Sequence, residues 1–197
     1  MAQFEEKKFN IGELKGISSK NIEEHLKLYS GYVKNANMIG QKLYELYEED
    51  AEKNTYLMSE LTRRFSFEYN GMRNHEIYFD SLSGGASPLS EGDLKKAIEG
   101  SYGSVETFLT IFKMTAMIRG IGWAILWYDK KNNSLSNSWV DEQHLGQLQG
   151  CTPILTLDMW EHSYVADYQP SGKKQYVEDF FANLNWNKAE ENFKNAR

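Results

Sequence analysis

The chain has one cysteine, Cys151, and only three prolines among its 197 residues. A single thiol cannot form an internal disulfide, so the sequence is not a disulfide-stapled scaffold. Basic residues are also short: 22 Lys and Arg stand against 28 Asp and Glu, a formal charge of −6, which is not the electrostatic footprint of a duplex-binding protein. No long hydrophobic run is present. The most apolar stretch, Met114 to Tyr128, is broken by Arg119, Gly120 and Gly122 and falls short of the ~20 apolar residues a bilayer requires. The opening residues Met-Ala-Gln-Phe-Glu-Glu-Lys-Lys lack the apolar core of a secretory signal. The expected location is therefore cytoplasmic, with neither nucleic acid nor membrane as partner. What remains is globular: 41% hydrophobic, 14% aromatic and 25% charged residues are enough for a packed core of one domain or two small ones.

Ser18 and Ser19 are candidate N-caps for a helix on which Ile22, Leu26, Tyr29, Val33 and Ala36 recur at helical spacing, continuing through Leu43, Leu46 and Tyr47. After an acidic break near Asp50, a second helical stretch runs from about Ser59 to Leu82, predicting an antiparallel helix pair. Gly84, Gly85 and Pro88 then punctuate the chain, and Ser90 with Asp93 has the form of a capping box. Two further helices are expected between Leu94 and Met117, separated by Gly100 to Gly103. β-favouring residues follow in Trp123 to Tyr128, a polar tip at Asp129 to Asn133, a returning strand at Leu135 to Val140, and a third run at Ile154 to Leu157. Helical spacing resumes from Gly172 through Tyr176, Phe180 and Leu184 and closes near Ala189 to Lys194. The predicted class is α+β: an N-terminal helical-hairpin subdomain at residues 1–88 and a C-terminal α/β subdomain at residues 89–197 with a three-stranded antiparallel sheet.

Histidine is scarce, and each of His25, His75, His144 and His162 is informative. His25, Tyr29 and Tyr32 share a helix face, a pattern that core packing alone would also produce. Gly71 precedes His75 by one turn; a helix-interior glycine costs about 0.8–1.0 kcal/mol relative to alanine, so something needs the space, either a bulky neighbour or a closely packed helix. Asp158 ends the third apolar run and His162 follows four residues later, a spacing that brings carboxylate and imidazole together if a turn begins there. A metal ion or a hydrogen-bonded pair would each offset the burial of that carboxylate. Together, His25, His75, Asp158 and His162 form a nitrogen/oxygen set without thiolate, suited to iron, manganese or zinc and unsuited to calcium or an iron–sulfur cluster.

Asp158-Met-Trp-Glu-His-Ser-Tyr164 resembles the D-x-W-E-H-[AS]-Y signature of the iron/manganese superoxide dismutase family. In the same order, His25 with Tyr32-Val-Lys-Asn-Ala-Asn37, Asn74-His75-Glu-Ile-Tyr78-Phe79, Gly120-Ile-Gly-Trp123 and Leu184-Asn-Trp186 are similar to other landmarks of that family. The resemblance spans nearly the whole chain. It implies conversion of superoxide to dioxygen and hydrogen peroxide by redox cycling of a single iron or manganese ion bound by His25, His75, Asp158 and His162. It also implies that Tyr32, Trp123 and Trp160 wall the pocket, and that Glu161 reaches His162 of the partner subunit across a homodimer interface, with a tetramer as the alternative.

The sequence departs from the family at several points. The interval from His25 to Tyr32 is one residue short, and Tyr29 and Val165 stand where the family has a histidine and a tyrosine. Because Gly71 occupies the helix position that can supply a glutamine to the metal-bound solvent, that role passes to Gln143 or His144 on the sheet side, with His144 favoured. Tyr78 and Thr156 favour iron, while Gly71 is more typical of manganese members, so iron is slightly preferred. Lys27, Lys34, Arg73, Lys173 and Lys174 are candidates for guiding the anionic substrate. The competing readings are a metal-binding homologue without dismutase activity, motivated by Tyr29 and Val165, and a metallohydrolase, which lacks any H-E-x-x-H motif.

Overall fold

The computed structural model describes residues 3–197. Helix α1 (Ser19–Asp50) starts where the Ser18 hydroxyl accepts the Asn21 N–H at 3.1 Å, a side-chain cap for one of the otherwise unpaired first-turn donors. Its buried stripe includes Ile22, His25, Tyr29, Val33 and Ala36. Helix α2 (Thr55–Ser81) returns alongside it, beginning four residues before the expected start, with the Thr55 and Ser59 hydroxyls donating to the Ala51 and Thr55 carbonyls. The two long helices form the expected hairpin, and its sheet-side end carries His25 and His75.

Helices α3 (Asp93–Tyr102) and α4 (Val105–Ala116) follow. The capping box expected from Ser90 and Asp93 does not form. The N-cap is Gly92, and the N–H groups of Asp93 and Leu94 donate at 3.2 and 3.0 Å to the Glu190 carboxylate of a distant helix. A charged acceptor at a helix N-terminus does the same work as a local hydroxyl, and a Cβ on Gly92 would come within 2.8 Å of that carboxylate. Ser104 caps α4 through the Thr107 N–H.

Three strands, β1 (Gly122–Asp129), β2 (Ser134–Asp141) and β3 (Cys151–Asp158), form an antiparallel sheet in the order β2-β1-β3. Each extends beyond its apolar run because backbone pairing continues into the polar ends. β1 is central and buried from Gly122 to Tyr128, which is why it reads as an unbroken apolar run rather than an alternating one. Its pairing places Trp123 opposite Asp158, so the start of β1 and the end of β3 lie side by side. Helix α2 packs on β3, fastened where the Thr156 hydroxyl donates to the Asn74 carbonyl at 3.0 Å. A 3-10 turn (Glu161–Ser163) follows β3, and α5 (Lys173–Asn183) and α6 (Trp186–Ala196) close the chain. The core holds fully buried rings, including Tyr78, Phe79, Phe108, Phe112, Trp123, Tyr176 and Phe180, each contributing about 1.5–3 kcal/mol by leaving water. The fold is α+β, with helices leading and the α/β part following. No helix of the described residues is long and apolar enough to cross a membrane.

Candidate metal centre

Four side chains from four places in the chain converge beneath the hairpin. His25 comes from α1, His75 from α2, Asp158 from the end of β3 and His162 from the 3-10 turn, and their ligand atoms all lie within 4.8 Å of one another. The Nε2 atoms of His25, His162 and His75 stand 3.0, 3.2 and 3.5 Å from a single oxygen, Oδ2 of Asp158. The carboxylate is held in place from its other side: Oδ1 accepts the Trp160 N–H at 2.8 Å, and the Asp158 carbonyl accepts the Tyr176 and Ser163 hydroxyls, both at 3.0 Å.

The proton positions decide what this cluster is for. His75 Nδ1 lies 2.6 Å from the Gly71 carbonyl, which can only accept, so Nδ1 carries the proton. The buried Nε2 of His75 then has a lone pair and no hydrogen-bond partner, and it faces a carboxylate oxygen. An unprotonated ring nitrogen 3.5 Å from a carboxylate oxygen repels it, and a cation held by both would relieve that repulsion. Burial and the neighbouring His25 push the His75 pKa down to about 3, so the cation at neutral pH is not a proton. Burial also lowers His25, against the pull of Asp158. Burial by itself would raise Asp158, but His162 and His25 beside it outweigh that and hold the carboxyl well below its ordinary range. A transition metal binds imidazole through its neutral ring and a carboxyl as the carboxylate, and this nitrogen/oxygen set fits iron, manganese or zinc.

Aromatic rings enclose the cluster. Trp123 meets His75 edge-on at 4.9 Å, Tyr32 lies 5.0 Å from the same imidazole, and Trp160 stacks on His162 at 5.6 Å. Between Trp123 and Tyr32 sits Gln143, fully buried: its Oε1 accepts the Trp123 indole N–H and its Nε2 donates to the Tyr32 hydroxyl, both at 2.8 Å. The inward side chain is therefore that of Gln143 and not the favoured His144, whose ring packs edge-on against Phe67 at 5.6 Å. Burial, with Asp158 and Glu68 nearby, raises the Tyr32 pKa far above its ordinary value, so the phenol keeps its proton across neutral pH. Glu161 is exposed where the 3-10 turn opens.

Comparison with known proteins decides the family. Residues 90–192 match the model of the iron/manganese superoxide dismutases, C-terminal domain. The chain is 39% identical over 186 residues to a protein named superoxide dismutase [Fe] from Cupriavidus metallidurans, covering 92% of this chain and 90% of that one. It is 34% identical over 187 residues to a superoxide dismutase [Fe] from Aquifex pyrophilus, covering 93% and 87%. It is also 32% identical over 192 residues to a mitochondrial superoxide dismutase [Mn] from Glossina morsitans morsitans, covering 95% and 87%. The chain belongs to the iron/manganese superoxide dismutase family.

Within that family frame, several supporting residues escaped the sequence reading. Tyr176 gave only a helical-spacing signal, yet its hydroxyl holds the Asp158 carbonyl and meets the Tyr78 hydroxyl at 3.1 Å. Tyr29, one of the departures, is buried with its ring stacked 6.5 Å from His75, while its hydroxyl accepts the Lys7 N–H at 2.9 Å and donates to Glu76 at 3.4 Å, and burial pushes its pKa up to about 12. Three of the five candidate guiding cations are already engaged, Lys27 with Glu24 and Arg73 with Glu76, both at 2.7 Å, and Lys173 with the Ile118 carbonyl at 2.8 Å. Arg64, not among those candidates, lies 3.7 Å over the Phe67 ring and pairs with Glu68 at 2.8 Å.

Proposed function

We propose that the chain is a superoxide dismutase whose His25, His75, Asp158 and His162 hold one iron ion. The observation that carries this reading is the convergence of the His25, His75 and His162 Nε2 atoms on Asp158 Oδ2, with the His75 Nε2 buried and without a hydrogen-bond partner, a donor set that a transition metal would satisfy. Held by these four residues, an iron or manganese ion would supply the one-electron redox chemistry that dismutation requires. The chain supplies the rest. Tyr32, protonated at neutral pH, and the Gln143 amide bonded to it form the proton-donating side of the pocket, so that peroxide leaves protonated. Gln143 tunes the site through its hydrogen bonds, a role in which it replaces His144. Trp123 and Trp160 exclude bulk water from the imidazoles they cover.

Iron is supported by Tyr78 and Thr156 and by the iron-named relatives at 39% and 34% identity; Gly71 and the sheet-side Gln143 support manganese. A homodimer in which Glu161 meets His162 of the partner subunit, a cytoplasmic location, and a subdomain boundary between residues 88 and 89 complete the reading. Its test is superoxide dismutation by two samples of the protein, one loaded with iron and one with manganese, with bound metal quantified. Activity in the iron sample alone supports the reading as stated. Activity only with manganese replaces the cofactor, and inactivity of both with metal bound leaves a metal-binding homologue.

A further inference from the structure

Immediately after β2 the chain adopts a conformation that its residues do not favour. Glu142 has φ +51°, in the left-handed region where a Cβ crowds the backbone and where Gly, Asn or Asp is the expected residue. Both of its peptide groups are fastened. Its N–H donates to the Ile121 carbonyl at 3.0 Å, and its carbonyl accepts the Trp160 indole N–H at 3.0 Å. The next carbonyl, that of Gln143, accepts the Asn74 side-chain amide at 3.2 Å. None of these bonds uses the Glu142 carboxylate.

The three anchors are not scattered. Asn74 adjoins the ligand His75, Trp160 lies between Asp158 and His162, and Ile121 leads into β1 just before Trp123. A disfavoured conformation persists only where its surroundings over-determine it, and such positions concentrate at working sites. Here the elements that hold the metal ligands also hold the turn, and the residue that follows the turn is the one whose amide bridges Trp123 and Tyr32.

We infer that Glu142 is a positioning residue whose left-handed backbone, independent of its carboxylate, aims the Gln143 amide between Trp123 and Tyr32. The consequence for catalysis rests on the dismutase reading above; the consequence for geometry does not. The test compares Glu142→Asn and Glu142→Gly, which tolerate the left-handed region, with Glu142→Val, whose β-branch opposes it, each in the wild-type and Gln143→Ala backgrounds of the iron-loaded protein. Reduction potential, dismutation rate and urea unfolding are measured for all.

Glu142→Val is expected to lower the rate tenfold or more and to move the potential in the same direction as Gln143→Ala, with no further change in either when the two are combined. Glu142→Asn and Glu142→Gly are expected to stay within twofold of wild type and to keep its potential. Loss in the Asn or Gly variants would overturn the inference, and those variants decide it even if the valine protein does not fold. An equal effect of Glu142→Val in the Gln143→Ala background would also overturn it. If the wild type binds iron but dismutes nothing, the functional reading fails, while the potentials and the coupling between positions 142 and 143 in urea still judge the inference.

Discussion

The Tyr32 ring lies over Gly71 so closely that a Cβ at position 71 would come within 2.6 Å of its Cδ1 and 2.7 Å of its Cε1. The helix-interior glycine thus makes room for the phenol that Gln143 bonds. Gly71→Ala has two opposed effects: the helix gains about 0.8–1.0 kcal/mol of intrinsic propensity, and overpacking against a confined ring costs about 1–3 kcal/mol. The expected result is a net loss of no more than about 2 kcal/mol in urea unfolding with a dismutation rate reduced several-fold, because the ring must shift and the Tyr32–Gln143 bond lengthens. Full activity in the alanine variant would show that Tyr32 needs no fixed position.

Gln143 and His144 are adjacent, and substitution separates them. Gln143→Ala leaves the Trp123 indole N–H, in a fully buried ring, without an acceptor, which costs about 1–3 kcal/mol, and it removes the donor to Tyr32. His144→Ala removes one edge contact with Phe67 and is expected to cost less than about 1 kcal/mol with activity within twofold of wild type. Thermal unfolding and dismutation rates of the two variants check this, and the reverse ranking would return the pocket role to His144.

The residues legible in the sequence are those whose signal is local. The Asp158 to His162 segment follows an apolar strand and the long helices announce themselves by period, so the order of elements could be read from the residues, whereas grouping His25 and His75 with that segment, as the structure does, rested on the family motifs. What could not be read depends on distant partners or on backbone torsions. Glu190 caps α3 from 97 residues away, and nothing near Asp93 points to it. Gln143 faces inward because Glu142 takes a left-handed turn, and glutamate carries no such signal; aligning Gly150 and Pro153 with the family's loop points one residue further on, to His144. Lys27 and Arg73 pair with Glu24 and Glu76 three residues away on their own helices, a local spacing that could have been read, whereas the bond of Lys173 to the Ile118 carbonyl forms only in the fold.

Metal removal provides a direct measure of the His75–Asp158 opposition. A ligand that binds only the folded state stabilises it by about 2.7 kcal/mol at 100 times its Kd, and a domain of this size shifts Tm by about 2–4 °C per kcal/mol. Stripping the protein with a chelator is therefore expected to lower Tm by at least about 5 °C, with recovery on adding back iron or manganese. Asp158→Asn should abolish the recovery. An unchanged Tm would mean that hydrogen bonds alone satisfy the cluster.

Acid should unfold the metal-free protein for a reason located in the same residues. His75 titrates at about 3 when folded, because burial and then His25 oppose its charge, against an ordinary value of about 6.5 in the unfolded chain. Between those values the unfolded state binds more protons, so stability falls as pH drops from about 6.5 towards 3. His25, lowered in the same direction, adds to the slope. Asp158, also held low, keeps its contribution above the ordinary carboxylate range and loses it only at more acid pH. Urea midpoints of the chelated protein at pH 8, 6, 5 and 4 are expected to be level from 8 to about 7 and then to decline, and His75→Gln should flatten part of that decline. A midpoint constant down to pH 4 would mean that the folded protein accepts the proton on His75, and that the lone pair facing Asp158 does not require a metal to quiet it.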